Sequence, residues 1–256
     1  MSTGQFARCH VYQGSKIGDV LGEADRHPDF ISHVQHPERP TWLIGSPIRV
    51  KEAISLYMST PANVKARDGT LGQRKRRVDH RCLVAGIVTW PDLVDTFRAR
   101  DYPLDRMETF KKWQRETLTW LRKQFSEKLI AACTHFDESH PHIHFFVVGD
   151  AQRLHPGMKN ELLNGNRLTD NAERIEKHKA GLRAWLDDFH VHVGGPCGLQ
   201  RSLGSRPTWR IKDRGTRSKL LEIDKALAER SDSEIQAQRD ELWDSEVKTH
   251  RPRMIF

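Results

Sequence analysis

Four of the chain's 14 histidines fall within ten residues, His135-Phe136-Asp137-Glu138-Ser139-His140-Pro141-His142-Ile143-His144, and no other stretch constrains the fold as much. The flanking runs, Leu129 to Thr134 and His142 to Val148, are apolar and partly β-branched, which predicts two strands. The residues between them read as a longer turn, so the pair forms an antiparallel hairpin with His140 in the turn. Residues two apart on a strand share a face, and His142 and His144 therefore project together, about 7 Å apart at their α-carbons. His135 closes the first strand and is carried across from them, with Asp137 and Glu138 beside it. Ile143, Phe145 and Val147 then point to the core, while Phe146 and Val148 share the histidine face. Three neutral imidazoles can hold one ion and still leave coordination positions open, as a catalytic metal requires.

The rest of the first 200 residues supplies partners for this hairpin. Phe6 to Tyr12 reads as an opening strand, followed to about residue 45 by loop with a short helix. Leu83 to Trp90 is a buried strand, and Trp90-Pro91-Asp92 turns into a helix. From Asp105 to about Lys128, Phe110, Trp113, Leu118, Leu121 and Phe125 recur at helical spacing, with Asp105 as the cap. A second long helix carries Ile175, Leu182, Trp185, Leu186 and Phe189 on one face and ends at Gly194-Gly195-Pro196. The pattern predicts an α+β fold, a central antiparallel sheet flanked by helices, over residues 1–200.

Composition changes after that. Residues 201–219 hold seven bases (Arg201, Arg206, Arg210, Lys212, Arg214, Arg217, Lys219) against Asp213, with Gly204, Pro207 and Gly215 interrupting any helix. This is a basic linker or arm. From 220 to 256 the balance turns acidic over a thin apolar stripe, Leu220, Leu227, Ile235, Leu242 and Val247, which suits a helical tail and a possible homodimer contact. The whole chain carries +8, so a polyanion is the default partner. No run approaches the roughly 20 apolar residues of a membrane span, and the start lacks a signal peptide's basic flank and apolar run, which predicts a cytoplasmic protein. Cys9, Cys82, Cys133 and Cys197 are scattered, fitting neither a disulfide framework nor a cysteine zinc site.

The ten-residue histidine run resembles the HxDExTPHxH signature of the Pre/Mob (MobV-type) plasmid mobilisation relaxases of the HUH endonuclease superfamily. His140 departs from it, standing where the family usually has Thr. The resemblance implies that His135, His142 and His144 bind a divalent metal, Mn²⁺ or Mg²⁺, that Glu138 supports the site, and that a HUH relaxase-like sheet carries them. It implies site- and strand-specific DNA nicking and rejoining through a covalent 5′-phosphohistidine, on single-stranded or hairpin DNA at an origin-of-transfer-like site. In this family the attacking histidine lies near the N-terminus in a His-Asn-x-Arg context. Here His27 falls in that region but is followed by Pro28 and Phe30 in place of Asn and Arg. His33 and His36 are alternatives, as are Tyr12, Tyr57 and Tyr102, since other HUH enzymes use tyrosine. Arg74-Lys75-Arg76-Arg77 lie where family members place DNA-holding arginines, and Arg201, Arg206, Arg210 and Lys212 of the arm suit phosphate contact. Two other readings fit the residues: a hydrolytic metalloenzyme with no covalent intermediate, and a non-catalytic DNA-binding protein with a degenerate relaxase site.

Overall fold

A computed structural model describes residues 4–14, 16–65, 68–163 and 166–201. In chain order its elements are β1 (Gly4–Tyr12), α1 (Lys16–Ala24), β2 (Thr41–Ile44), α2 (Pro47–Ser59), β3 (Ala62–Lys65), β4 (Leu71–Arg74), β5 (Leu83–Thr89), α3 (Val94–Arg98) and α4 (Leu104–Phe125). Then come β6 (Leu129–His135), β7 (His142–Val148), α5 (Ala151–Leu154), α6 (Pro156–Asn160), β8 (Leu162–Leu163), β9 (Asn166–Arg167), α7 (Asn171–Phe189) and β10 (Gln200–Arg201). Five strands run antiparallel in the order β1-β5-β7-β6-β2, and β10 adds to β1 in parallel. The α+β architecture with a central antiparallel sheet is the one read from the sequence.

The sheet is covered on both faces. Ala7, Cys9, Val84, Val88, Ile143, Phe145 and Val147 meet Phe110, Trp113, Trp120, Leu121 and Phe125 of α4 and Trp185 and Phe189 of α7. On the reverse face Leu83, Ala85, Ala131, Cys133, Phe146 and Val148 pack under Leu21 and Ala24 of α1 and Val50 of α2. Each such fully buried large side chain contributes about 1.5–3 kcal/mol relative to exposure. The period-2 split of β7 between the two clusters is the alternation expected from its sequence.

Three local readings are corrected. The stretch from Gln13 to 45 contains the short helix expected there, α1, and also an edge strand, β2, where the sequence pattern predicts loop. Ile17, Val20, Leu21 and Ala24 give α1 its apolar face. Gly22 is required by packing, since a Cβ there would stand 2.2 Å from the Phe30 ring. The N-cap of α4 is Pro103, without a side-chain hydrogen bond, and Asp105 lies inside the first turn, where its charge complements the helix dipole. The long C-terminal helix passes through a π-turn at His190–Gly194 and a 3-10 turn at Gly195–Cys197 before Gly198 reverses the chain at φ +67°.

All four cysteines are free and buried. No helix among the described residues is long and apolar enough to cross a membrane. Arg206, Arg210 and Lys212 of the basic arm, the acidic tail and its expected dimer contact lie outside the described residues.

Candidate metal centre

The β6–β7 register places His135 directly opposite His142, and His144 opposite Cys133. The three imidazoles stack into a compact group, with ring centroids 4.6, 5.0 and 5.2 Å apart and each side chain nearly inaccessible. One nitrogen from each ring lies within 4.8 Å of the other two. Hydrogen bonds set which nitrogen that can be. His135 Nε2 contacts the Ala24 carbonyl at 2.9 Å, and His142 Nδ1 contacts the His140 carbonyl at 2.8 Å. A carbonyl only accepts, so both ring nitrogens donate, and the lone pairs remain on His135 Nδ1 and His142 Nε2. His135 Nδ1 is buried and has no hydrogen-bond partner, while His142 Nε2 lies 3.1 Å from His144 Nε2. A buried nitrogen acceptor left unpaired costs about 1–3 kcal/mol. A cation among the three rings would satisfy it, and the outward N–H groups already hold the rings as backbone partners hold metal-ligating histidines. The residues fit a divalent ion.

The turn that carries Asp137 and Glu138 is pinned from two sides. Trp90 N donates to Pro141 O at 2.8 Å, Val94 N to Ser139 O at 3.0 Å, and His140 Nδ1 to Asp92 O at 3.0 Å. His140 thus fastens the turn to the segment that leads into α3. On the other side Arg26 donates to Asp137 from Nε at 2.7 Å and Nη2 at 2.5 Å, and from Nη2 to Glu138 Oε1 at 2.9 Å. The side chains of Arg26 and Asp137 are 4% and 1% exposed. Glu138 Oε1 also lies 3.6 Å from His142 Nε2, at the edge of the cluster.

Arg26 reaches this position at a conformational cost. It follows α1 at φ +59°, with Arg26 N bonded to Glu23 O at 3.1 Å and His27 N to Gly22 O at 2.8 Å. These bonds form a Schellman motif, whose left-handed position is usually glycine. An arginine there is strained by about 1–2 kcal/mol, and the strain persists because the guanidinium is held by two carboxylates. Burial, the largest influence, pushes the Asp137 carboxyl up, but the hydrogen bonds it accepts from Arg26 and from Glu38 N, with the Arg26 charge, together outweigh this and hold it below the usual carboxylate range. Sequence reading missed Arg26; its adjacency to His27 was the available signal.

Burial, then the charges of Arg26 and His142, lower His135 from 6.5 to about 4. Burial also lowers His142 and, together with its two neighbours, holds His144 well below its ordinary value. The rings are therefore neutral near pH 7, with lone pairs available. Because the folded values lie below the unfolded ones, acid favours the unfolded chain as pH falls from 6.5 toward about 4. Buried His155, lowered to about 4 mainly by burial, adds to the same trend. In chelator, the urea midpoint should be lower at pH 5 than at pH 7; equal midpoints would count against neutral, buried rings.

The other predicted site residues are dispersed. The His27 side chain is 57% exposed, its Nδ1 accepting from Asp29 N at 3.4 Å. It lines a cavity of about 320 Å³ with Gly22, Asp25, Phe30 and Lys51, and no member of the histidine cluster borders that cavity. His33 lies 4.0 Å from Glu23, and His36 is exposed. Arg74 and Lys75 are exposed at the end of the β3–β4 ribbon. Arg76 donates to Tyr57 O at 3.0 Å and stacks on its ring, and Arg77 pairs with Asp79. Arg201 belongs to β10 and pairs with Asp187, so the arm's first cation is engaged within the sheet domain.

Residues 97–195, from the end of α3 through α7 and including the histidine hairpin, match the Mob_Pre family, described as plasmid recombination enzyme. No curated protein matches the chain. Among solved structures, an Mn-bound MobM relaxase domain (MOBV; Mob_Pre) with 23 nucleotides of plasmid pMV158 oriT DNA is 16% identical, covering 85% of this chain and 97% of that one at a TM-score of 0.48. An Mn-bound MobM complex with a 22-nucleotide oriT DNA is 16% identical over 85% and 99% of the two chains, at 0.47.

Proposed function

We propose, taking the Pre/Mob match of residues 97–195 as the premise, that this protein is a metal-dependent relaxase that nicks and rejoins one strand of DNA. The observation that carries the reading is the unpartnered, buried Nδ1 of His135 within a group in which one nitrogen of each of the His135, His142 and His144 rings lies within 4.8 Å of the other two. These three residues would hold one divalent ion, with Glu138 at its edge. Nitrogen donors favour Mn²⁺ over Mg²⁺, which prefers an all-oxygen shell. When bound, the ion would polarise the scissile phosphate and stabilise the charge that builds as the phosphorus becomes five-coordinate.

The chain's own groups would do the rest. Arg26 fixes Asp137 and Glu138 in place beside the histidine cluster. We assign the attack to one ring nitrogen of His27: a P–N bond forms, the P–O3′ bond breaks, and the departing oxygen takes the proton that the phosphorylated ring releases from its other nitrogen, leaving a free 3′ hydroxyl. The phosphohistidine conserves the bond energy, and reversal rejoins the strand without ATP. Because His27 is exposed and borders a separate cavity, attack requires the segment around it to approach the bound phosphate. The exposed Arg74 and Lys75 are the members of the basic run best placed to hold DNA backbone.

The test is to incubate the protein with Mn²⁺ and supercoiled plasmid carrying the DNA upstream of its own gene, and to look for a nicked strand linked to protein. His27→Ala should abolish the adduct while leaving metal and DNA binding nearly intact, since only a chemical step is lost. An adduct that survives and maps to Tyr12, Tyr57 or Tyr102 would move the nucleophile. Nicking without any adduct would identify a hydrolase, and DNA binding without nicking a degenerate site.

A further inference from the structure

The register of the sheet extends the histidine face beyond the hairpin. His144 pairs with Ile87 of β5, and Ile87 with Arg8 of β1. His142 pairs with Thr89, and Thr89 with Phe6. Cross-strand partners point to the same face, so Phe6, Arg8, Ile87 and Thr89 continue the surface that carries the cluster. Two strand spacings put the Arg8 α-carbon about 10 Å from that of His144, within reach of a long side chain.

Coverage of this face is uneven. At one end Leu83, Ala85, Phe146 and Val148 are buried beneath α1 and α2. At the cluster end Phe6, Arg8, Ile87 and Thr89 are only half-buried. The face is therefore open on the β1 side of the histidines, and Arg8 is the permanent cation that the sheet strands place there. It lies in the field of the Tyr12, Glu23 and Glu138 groups, and burial, its largest influence, lowers its pKa without approaching neutrality near pH 7. A guanidinium has five N–H donors, enough to face a carboxylate and still grip a phosphate.

We propose that Arg8 contacts a phosphodiester of the scissile strand, positioning it on the open β1 side of the histidine cluster. The proposal rests on the relaxase reading and names where the strand lies.

The test measures affinity for a thymidine homo-oligonucleotide against salt, with Mn²⁺ present, for the wild type, Arg8→Gln and Arg8→Lys. Losing one phosphate contact on a single strand should shrink the slope of log K against log salt by about 0.7 for Arg8→Gln. Affinity at low salt should fall about tenfold. Arg8→Lys should restore the slope, and Mn²⁺ affinity should be unchanged in both variants. A purely structural arginine serving Glu23 and Glu138 would leave the slope alone, so an unchanged slope for Arg8→Gln overturns the proposal, as does a parallel loss of Mn²⁺ affinity. If Arg8→Gln does not fold, Arg8→Lys decides, because a point charge keeps the slope but loses the forked grip: affinity should fall about threefold, and wild-type affinity would overturn the contact. An altered slope in a protein that never nicks DNA would retain the phosphate contact and discard the nuclease reading.

Discussion

The double variant His142→Ala, His144→Ala should lose Mn²⁺ binding, with affinity falling more than about 100-fold, beyond what removing a supporting residue around a metal costs. The reason is geometric. Both ligands project from one face of β7 and are opposed by His135 alone, so the two deletions leave a single imidazole at the end of β6. His135, Asp137 and Glu138 do offer ligand atoms within 4.8 Å of one another, but both carboxylates are paired with the Arg26 guanidinium, whose charge opposes a cation there. Calorimetric titration with Mn²⁺, alongside far-ultraviolet circular dichroism to confirm folding, checks this. Undiminished binding by the double variant would sink the assignment of the site.

The second large effect should follow from Arg26→Ala. Removing the guanidinium strands the Asp137 carboxylate, 1% exposed, in the interior beside Glu138. Breaking one partner of a buried ion pair costs about 3–5 kcal/mol, which for a domain of this size lowers the melting temperature by about 10 °C. Arg26→Gly should be about 1 kcal/mol less damaging than Arg26→Ala, because glycine accepts the left-handed conformation that the Schellman motif imposes. Asp137→Asn in the Arg26→Ala background should recover part of the loss by removing the uncompensated charge. Equal stability of wild type and Arg26→Ala would show that the three-residue cluster contributes nothing to the fold.

The histidine hairpin was legible because its information is local. Alternation of two along β7 assigns His142 and His144 to one face and Ile143, Phe145 and Val147 to the other without reference to the rest of the chain. The hairpin register through the six-residue turn Phe136–Pro141 then brings His135 opposite His142. The β5 strand and the α4 and α7 helices were legible for the same reason, each having a long apolar period. A short helix is expected in the stretch that holds α1, but the place of Gly22 in it is visible only once Phe30 packs on it. β2 was obscured because four residues at a sheet edge carry too little pattern, and their pairing with β6 defines them.

What tertiary structure alone decided is the company that the histidines keep. Arg26 is 111 residues from Asp137 in sequence, and no periodicity links them. The two meet because α1 packs across the sheet and ends over β6, where Ala24 O takes the His135 proton donor. The same packing turns His27 outward, as the residue after a left-handed arginine must leave the helix axis. Arg8 reaches the histidine face only through two successive strand pairings. Residue types and strand alternation, which are written along the chain, determined the candidate ligands; the charges around them depend on which strands pair and which helix crosses them, and those are set by long-range burial that no local pattern encodes.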